Sequence, residues 1–292
     1  MKFVRYADTS QNVHHGLLQE DQVLCIQQAP AGGLKEWLAL GGDTLKDISA
    51  RARKASPRIA LADVCLLAPI PAPDKFLGLG GNYASHLREI EHLGIKAPET
   101  QVWFNKQVSC VAGPFADVSI PAASRCVDYE GELAVVIGRR CRNVTAERAH
   151  EVIGGYMACN DVSVRDVQLR TPTMTLGKSF DTHGPTGPCL VTPDEIADPQ
   201  QLRIRTWVNG ELRQDGNTDE MRYSIRDQIE ELSHVFTLAP GDLLATGTPA
   251  GVAAAMRPPR FLRSGDVVRI EIEGIGAIEN RFVPERPGVR IA

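Results

Sequence analysis

Three acidic side chains lie in otherwise apolar parts of the sequence. Glu130 and Glu132 are two residues apart in the segment 127–137, and the alternation of a strand would place both on one face. Asp161 ends the apolar run 155–161, where a side chain can turn towards a site. Neighbouring carboxylates repel each other unless a cation neutralises them, and oxygen ligands without cysteine or histidine suit Mg²⁺ or Mn²⁺. A solvated polar edge of a strand is the open alternative.

His86 and Glu89 form a second candidate centre. If the segment that begins at Asn82 is helical, the two lie three residues apart on one face, where the carboxylate can orient the imidazole. A histidine held in this way can take a proton from water near neutral pH. An incidental pair on an exposed helix and ligation of a metal by the pair are alternatives that the sequence leaves open.

Two further segments could contact an anionic substrate. Lys178 lies beside a glycine in a loop, where its charge can approach an anion. The segment 246–251, Thr-Gly-Thr-Pro-Ala-Gly, follows a predicted strand, and its glycines allow close approach of the backbone while its hydroxyl groups can bind an oxygen. Glycine, proline and threonine also mark ordinary turns, so a structural loop is the alternative.

Short apolar or alternating stretches predict the strands that must position these side chains. They span residues 132–137, 155–159, 202–208, 242–245 and 267–273. Asn209-Gly210 predicts a two-residue hairpin because both turn positions need a positive φ. Ser224 predicts the start of a helix that continues to Phe236. Strands outnumber helices without regular alternation, which predicts an α+β, mainly β fold.

The chain is predicted to divide near residue 68. Residues 2–27 have the pattern of short strands and residues 34–54 the apolar spacing of helix, which predicts a small N-terminal α+β domain over residues 1–68. Three prolines between residues 66 and 75 favour an extended connector. Residues 69–292 then form the main, catalytic domain, a division that a chain of 292 residues allows.

The composition excludes several classes of protein. The net charge is −4 and the sequence has no block of like charges, so nucleic acid is not an expected partner. The sequence contains no run of about 18 apolar residues, so no membrane span is predicted. Seven scattered cysteines predict neither a disulfide framework nor a zinc site. The first residues lack the pattern of a signal peptide, so a cytoplasmic location is expected. A phosphate-binding P-loop, a complete dinucleotide loop and a serine hydrolase elbow are missing from the sequence.

Together these segments resemble the fumarylacetoacetate hydrolase family, also called the acylpyruvase or hydroxyheptadienedioate isomerase family, over about residues 70–285. The matching motifs are Asn82-Tyr83-x-x-His86-x-x-Glu89, Asp128-Tyr-Glu130-Gly-Glu132-Leu, Asn160-Asp161-Val-Ser-x-Arg165-Asp166, Gly177-Lys178-Ser-Phe-Asp181, Gly187-Pro188, Gly241-Asp242, Thr246-Gly-Thr248-Pro-Ala-Gly-Val252 and Gly265-Asp266-Val. Because these motifs occur in register, they are more specific together than any one of them alone.

The resemblance implies a mixed β-roll/β-sandwich catalytic domain that is usually a homodimer and that uses Mg²⁺ or Mn²⁺. The implied site consists of the metal ligands Glu130, Glu132 and Asp161, the catalytic residues His86, Glu89 and Lys178, and the substrate contacts Tyr83, Arg165, Gln168 and Thr248.

The implied activity is a metal-dependent hydrolase that cleaves a carbon–carbon bond of a 2,4-diketo acid. Its substrate would be an acylpyruvate such as fumarylpyruvate, as in aromatic compound catabolism, or a diketo-deoxy sugar acid, and its products pyruvate or a substituted pyruvate and a carboxylic acid. An isomerase or decarboxylase acting on 2-hydroxy-diene-dioate or oxaloacetate-type substrates is the alternative. Residues 170–176 lack the aromatic residue that many relatives place before the lysine, and His183 stands where an aromatic is common, which leaves the substrate open.

Overall fold

The computed structural model describes residues 1–27, 29–91, 94, 96–286 and 288. The strands are β1 (Lys2–Ala7), β2 (Val13–Gln19), β3 (Gln22–Cys25), β4 (Arg58–Ala60), β5 (Cys65–Leu67), β6 (Phe76–Gly80), β7 (Val102–Lys106), β8 (Val111–Ala112), β9 (Val118–Ile120), β10 (Val127–Asp128), β11 (Gly131–Ile137), β12 (Ile153–Asn160), β13 (Ser163–Val164), β14 (Gly184–Val191), β15 (Arg203–Val208), β16 (Glu211–Asn217), β17 (Leu243–Ala245), β18 (Val267–Ile272) and β19 (Gly276–Pro284). The α-helices are α1 (Leu34–Ala39), α2 (Gly42–Ala55), α3 (Ala84–Ile90), α4 (Arg165–Gln168) and α5 (Ile225–Val235). Short 3₁₀ turns include Thr175–Lys178 and Ala253–Ala255.

Most strands belong to one large mixed sheet. Its order is β4-β3-β2-β1-β14-β12-β11-β17-β6-β7, with β5 on β1 and β8 on β14. The N-terminal strands therefore continue the sheet of the remainder of the chain, and β1 joins β14 through the pair Lys2 and Val191. The predicted α+β, mainly β fold is confirmed.

A second sheet has the order β16-β15-β18-β19-β9. The hairpin between β15 and β16 turns at Asn209 and Gly210, whose φ angles of 52° and 80° are the positive values that this turn requires. Ile204 and Val208, on one face of β15, are buried. The predicted hairpin is confirmed, and so is the α5 helix, which begins after Ser224 and is capped by its side chain.

The N-terminal helices share a core with the large sheet. Trp37 of α1 and Ile48 of α2 belong to one apolar cluster with Val136 of β11 and Met157 of β12. The parts before and after residue 68 are thus continuous in packing, and the division of the chain into two domains near residue 68 stays a prediction.

All seven cysteines are described and none forms a disulfide bond, as predicted. Within the described residues, no helix has the length and apolar character needed to cross a membrane.

Strand pairing explains how distant residues meet at one end of the large sheet. In the antiparallel pair β11 and β12, Gly131 lies opposite Asn160, so that the residues just outside the pair, Glu130 and Asp161, are also neighbours. The backbone N–H of Asp161 donates to the carbonyl oxygen of Glu130 at 2.9 Å. Strand β17 pairs with β11 and runs parallel to β6, so the loop after β17 and the α3 helix after β6 lie at the same end.

Candidate active site

The three predicted carboxylates meet in the interior. One oxygen from each of Glu130, Glu132 and Asp161 lies within 4.8 Å of the others, and all three residues are buried. Glu130 lies just before β11 rather than within it, and Glu132 is in the strand. The solvated polar edge that the sequence left open is therefore wrong, because these carboxylates have almost no contact with water.

Two buried lysines hold this triad together. The Nζ atom of Lys178 donates to Glu130 Oε2 at 2.7 Å and to Asp161 Oδ2 at 2.6 Å. The Nζ atom of Lys106 donates to Asp161 Oδ1 at 2.7 Å and also to the carbonyl oxygen of Lys178. Burial alone would lower the pKa of Lys106, but the charge and hydrogen bond of Asp161, together with the nearby thiols of Cys110 and Cys159, raise it above its usual value. Lys106 is a site residue that the sequence interpretation missed, although a lysine ending a partly buried strand is a usable signal.

Arg165 joins the triad from the start of α4. Its Nε donates to Asp128 Oδ2 at 2.9 Å, its Nη2 lies 2.7 Å from Glu130 Oε1, and its Nη1 donates to Gln168 Oε1 at 3.0 Å. Asp128 is fully buried and also accepts backbone N–H groups from Tyr129 and from the 3₁₀ turn at Ala253. Asp128 therefore fixes the guanidinium group, a role that the sequence interpretation did not assign.

Glu130 and Glu132 have opposite electrostatic surroundings. Burial alone would raise the pKa of Glu130, but the charges of Lys178 and Arg165 lower it to about 2. Burial and the charges of Asp161 and Glu130 raise the pKa of Glu132 well above its usual value, although the N–H of Gly247 donates to Glu132 Oε2 at 2.8 Å. When all three carboxylates are ionised, the triad therefore carries more negative charge than its protein neighbours balance.

That excess charge and the donor set fit a hard divalent cation. Three carboxylates converge without sulfur or imidazole donors among them. The raised pKa of Glu132 reflects burial and also repulsion by Asp161 and Glu130, and a cation would offset that repulsion. Glu130, Glu132 and Asp161 are thus the residues that could hold Mg²⁺ or Mn²⁺.

The predicted pair of His86 and Glu89 lies on α3, and His86 lines the same cavity as Glu130 and Glu132. His86 Nδ1 is 3.1 Å from Glu89 Oε2, and the N–H of Gly251 donates to Glu89 Oε1 at 2.8 Å. The Asn82 side chain donates to the carbonyl oxygens of Thr246 and Tyr223 and so ties the start of the helix to the loop after β17. Both oxygens of Glu89 are engaged, and the imidazole is held in one orientation.

The remaining predicted site residues differ in position. Thr248 lines the cavity, but its hydroxyl donates to the Gly131 carbonyl and accepts from Gln214 Nε2, a buried amide that the sequence interpretation missed. Tyr83 is fully buried and is not among the residues that line the cavity; burial and the nearby charge of Glu132 raise the pKa of its phenol. Its substrate contact stays a prediction.

The sequence interpretation connected His183 with the choice of substrate, but the structure places this residue in the interior. It is fully buried, its Nε2 lies 2.7 Å from the carbonyl oxygen of Ser119, and burial lowers its pKa to about 4. By contrast Met174, in the segment that lacks an aromatic residue, does line the cavity.

The cavity has a volume of about 320 Å³. Its polar lining consists of His86, Lys96, Glu130, Glu132, Arg165, Gln168, Lys178 and Thr248. The geometry thus combines a cation-binding centre with a group that can transfer protons, an arrangement suited to chemistry next to a carbonyl group.

Comparisons with known proteins agree with this geometry. Residues 75–283 match the family model described as fumarylacetoacetate (FAA) hydrolase, C-terminal. A mitochondrial oxaloacetate tautomerase of Rattus norvegicus is 42% identical over 244 residues, which cover 83% of this chain and 77% of the relative.

Solved structures are similar over almost the whole chain. A fumarylacetoacetate hydrolase of Exiguobacterium antarcticum is 36% identical with a TM-score of 0.85, covering 98% of this chain and 100% of that one. A maleylpyruvate hydrolase of a Sphingobium species, solved with manganese(II) and pyruvate, is 31% identical with a TM-score of 0.82 and the same coverage. The expected fold of the catalytic domain is confirmed.

Proposed function

The chain belongs to the fumarylacetoacetate hydrolase family, and from this premise we propose that it is a divalent-metal-dependent enzyme that interconverts the enol and keto forms of oxaloacetate-type 2-oxo acids. The observation that carries the proposal is that His86, oriented by Glu89, lines the same cavity as Glu130 and Glu132 of the buried carboxylate triad. The Rattus norvegicus relative is named an oxaloacetate tautomerase, which favours tautomerisation among the reactions that such a site supports.

Charge balance supports the choice of cation and substrate. Four carboxylates, those of the triad and Asp128, contact or surround three cations, Lys106, Arg165 and Lys178. Mg²⁺ or Mn²⁺ held by the triad supplies Lewis-acid polarisation of the substrate's oxygen atoms. With one carboxylate in excess, a divalent ion makes the centre net positive, and an anionic 2-oxo acid is attracted to it.

His86 is the group that moves the proton at C3. Because Nδ1 faces Glu89, Nε2 is the ring nitrogen left to exchange a proton with the substrate. In the keto-to-enol direction Nε2 takes a proton from C3, the substrate oxygen gains one from solvent, and His86 returns its proton to solvent. Glu89, fixed by the Gly251 N–H, stabilises the imidazolium that forms.

Arg165 and Lys178 already contact carboxylates, so their first task is to hold the triad in place. Their direct contacts with substrate, and those of Gln168 and Thr248, stay predictions, as do a cytoplasmic location and a homodimer.

The test follows enol-oxaloacetate by its ultraviolet absorbance. With Mg²⁺ or Mn²⁺ the protein is expected to accelerate ketonisation, and a chelator should remove that acceleration. In D₂O the product should carry deuterium on one face of C3, because a fixed imidazole delivers the proton from one side. Ketonisation at the spontaneous rate with metal supplied would refute the proposal.

Hydrolysis of acylpyruvates is the second candidate. A histidine paired with a carboxylate also suits activation of water, and the Sphingobium neighbour is named a maleylpyruvate hydrolase. In ¹⁸O-labelled water, cleavage of fumarylpyruvate or acetylpyruvate places label in the released carboxylic acid, whereas tautomerisation releases no acid. Carbon dioxide measured with oxaloacetate as substrate separates a decarboxylase from both.

A further inference from the structure

Much of the cavity lining is apolar. This apolar wall includes Leu87 and Ile90 of α3, Val102 and Phe104 of β7, and Leu169 and Met174 from the segment after α4. A substrate with polar groups at both ends would leave one end against this wall without hydrogen-bond partners, which is unfavourable. Lys96 also reaches the cavity, but it is exposed, so its charge remains hydrated.

A glycine makes room for this wall. A Cβ at Gly78 would lie 2.3 Å from Phe104 Cζ, so only glycine lets that ring pack here. The ring centroid of Phe104 is 4.7 Å from Lys178 Nζ, which places the ring at the boundary between the charged centre and the apolar wall. The methyl group of Met174 lies over Gly80, where a Cβ would be 3.9 Å from Met174 Cε, an ordinary van der Waals distance.

The cavity is also larger than its charged centre needs. Its volume of about 320 Å³ lies at the lower end of the roughly 300–1,000 Å³ in which proteins hold drug-sized ligands. A four-carbon dicarboxylate occupies far less space and presents a second carboxylate to the apolar wall.

We propose that the preferred substrates are 2-oxo acids with an apolar alkyl or aryl group beyond C3, which packs against Leu87, Phe104 and Met174 while the oxo-acid end faces the triad. This rests on the proposed function, since it assumes that the oxo-acid end binds at the triad. The apolar wall then sets specificity and the charged centre sets the reaction.

Calorimetry on the Mn²⁺-loaded protein tests this with oxalate and with linear 2-oxo acids from pyruvate to 2-oxooctanoate. Each added methylene is expected to tighten binding about fourfold until the wall is covered, as burial of apolar surface predicts. Phenylpyruvate should likewise bind at least about tenfold more tightly than oxaloacetate.

A matched pair of variants locates the effect. Met174 has a φ of 57°, a conformation that asparagine tolerates, so Met174→Asn makes the wall polar without straining the turn. Leu176→Asn is the control, because Leu176 is exposed in the same segment and is not among the cavity residues. Met174→Asn should reduce the gain per methylene to less than about twofold, and the control should keep it.

The outcomes are separable. The inference is overturned, and the proposed function is left standing, by tight binding of oxalate together with an affinity for 2-oxo acids that does not change with chain length. An equal loss of chain-length dependence in Met174→Asn and Leu176→Asn has the same consequence. Failure of oxalate and pyruvate to bind with Mn²⁺ present overturns the proposed function, and the inference with it.

Discussion

Ion pairs of similar length occupy two contrasting regions of the molecule. In the interior, Lys178 lies 2.6 Å from Asp161 and both side chains are almost completely buried. On the second sheet, Arg203 lies 2.6 Å from Asp215, but their side chains are 54% and 36% exposed. The distances are equal, whereas the dielectric surroundings are not.

Burial, not geometry, decides what an ion pair does in this protein. Desolvation of the interior charges costs several kcal/mol per ion, and apolar residues of the same size would often serve stability as well. A connected set of buried acids and bases next to a cavity therefore indicates chemistry. The exposed pair contributes little to stability and is screened by salt.

Of the substitutions predicted here, removal of the Asp161 carboxylate should have the largest effect on the buried charges. Asp161→Ala leaves Lys106 and Lys178 without their shared carboxylate, so we expect loss of metal binding and activity and a fall in the free energy of unfolding of about 3–5 kcal/mol. Urea unfolding and metal calorimetry measure both effects. The sequence alone predicts that alanine at any triad position leaves the fold largely intact, and for Asp161 the structure argues otherwise.

Glu132→Gln is the matched control within the triad. It should also abolish metal binding, yet metal-free protein should be at least as stable as the wild type, because a carboxylate with a raised pKa is lost from a repulsive cluster. The stability that Glu132 contributes is present at low pH and is lost as the pH rises through its raised pKa. Over that pH range the free energy of unfolding should therefore fall less in Glu132→Gln than in the wild type. Equal destabilisation by Asp161→Ala and Glu132→Gln would contradict this account of the buried charges.

The effect of His86 should be confined to catalysis. His86→Ala is expected to lower kcat by about 10² to 10⁴, since it removes the proton-transfer group, while calorimetry shows unchanged binding of Mn²⁺ and oxalate. Because His86 pairs with Glu89 and not with the buried lysines, the urea midpoint should also change little. Loss of Mn²⁺ binding in His86→Ala would make His86 a ligand and overturn the division of roles.

A substitution of Lys106 tests whether a buried cation that contacts Asp161 supports metal binding. Lys106→Met removes a donor to Asp161, and we expect metal affinity to fall about 10-fold to 100-fold, as for other residues that orient metal ligands. Lys35→Met, which breaks an exposed pair with Asp74, is the control and should leave metal affinity unchanged. Unchanged affinity in Lys106→Met would show that Asp161 needs no such support.

Sequence patterns identified the residues of the site whose signals are local. Glu130 and Glu132 are two positions apart, His86 and Glu89 one helical turn apart, and the hairpin at Asn209 follows from turn chemistry alone. Such signals depend on backbone periodicity, which a few neighbouring residues determine.

What could not be predicted depends on strand order and register. Lys106 meets Asp161 across 55 positions because β7, β6, β17, β11 and β12 are neighbours in the sheet, and no short pattern encodes that order. The same strand order places Lys178 between two carboxylates of its own chain, contacts that the sequence did not predict, while its approach to a substrate stays a prediction. The continuation of the large sheet into β1 to β4 is likewise a long-range choice of strand partner.

The smallest effect is expected on the exposed face of the second sheet. Arg203 donates to both oxygens of Asp215, at 2.7 and 2.6 Å, which is the best geometry that an exposed pair can have. The hydrogen bond from Arg203 lowers the pKa of Asp215. The contribution of this pair to stability is therefore present at neutral pH and is lost as the pH falls below the usual carboxyl range. Asp215→Asn should nevertheless shift Tm at neutral pH by less than about 2 °C, and added salt should reduce that shift further, because water and ions screen both partners. A shift as large as that of Asp161→Ala would mean that geometry matters more than burial in this protein, since the two pairs differ in their exposure and hardly at all in their distances.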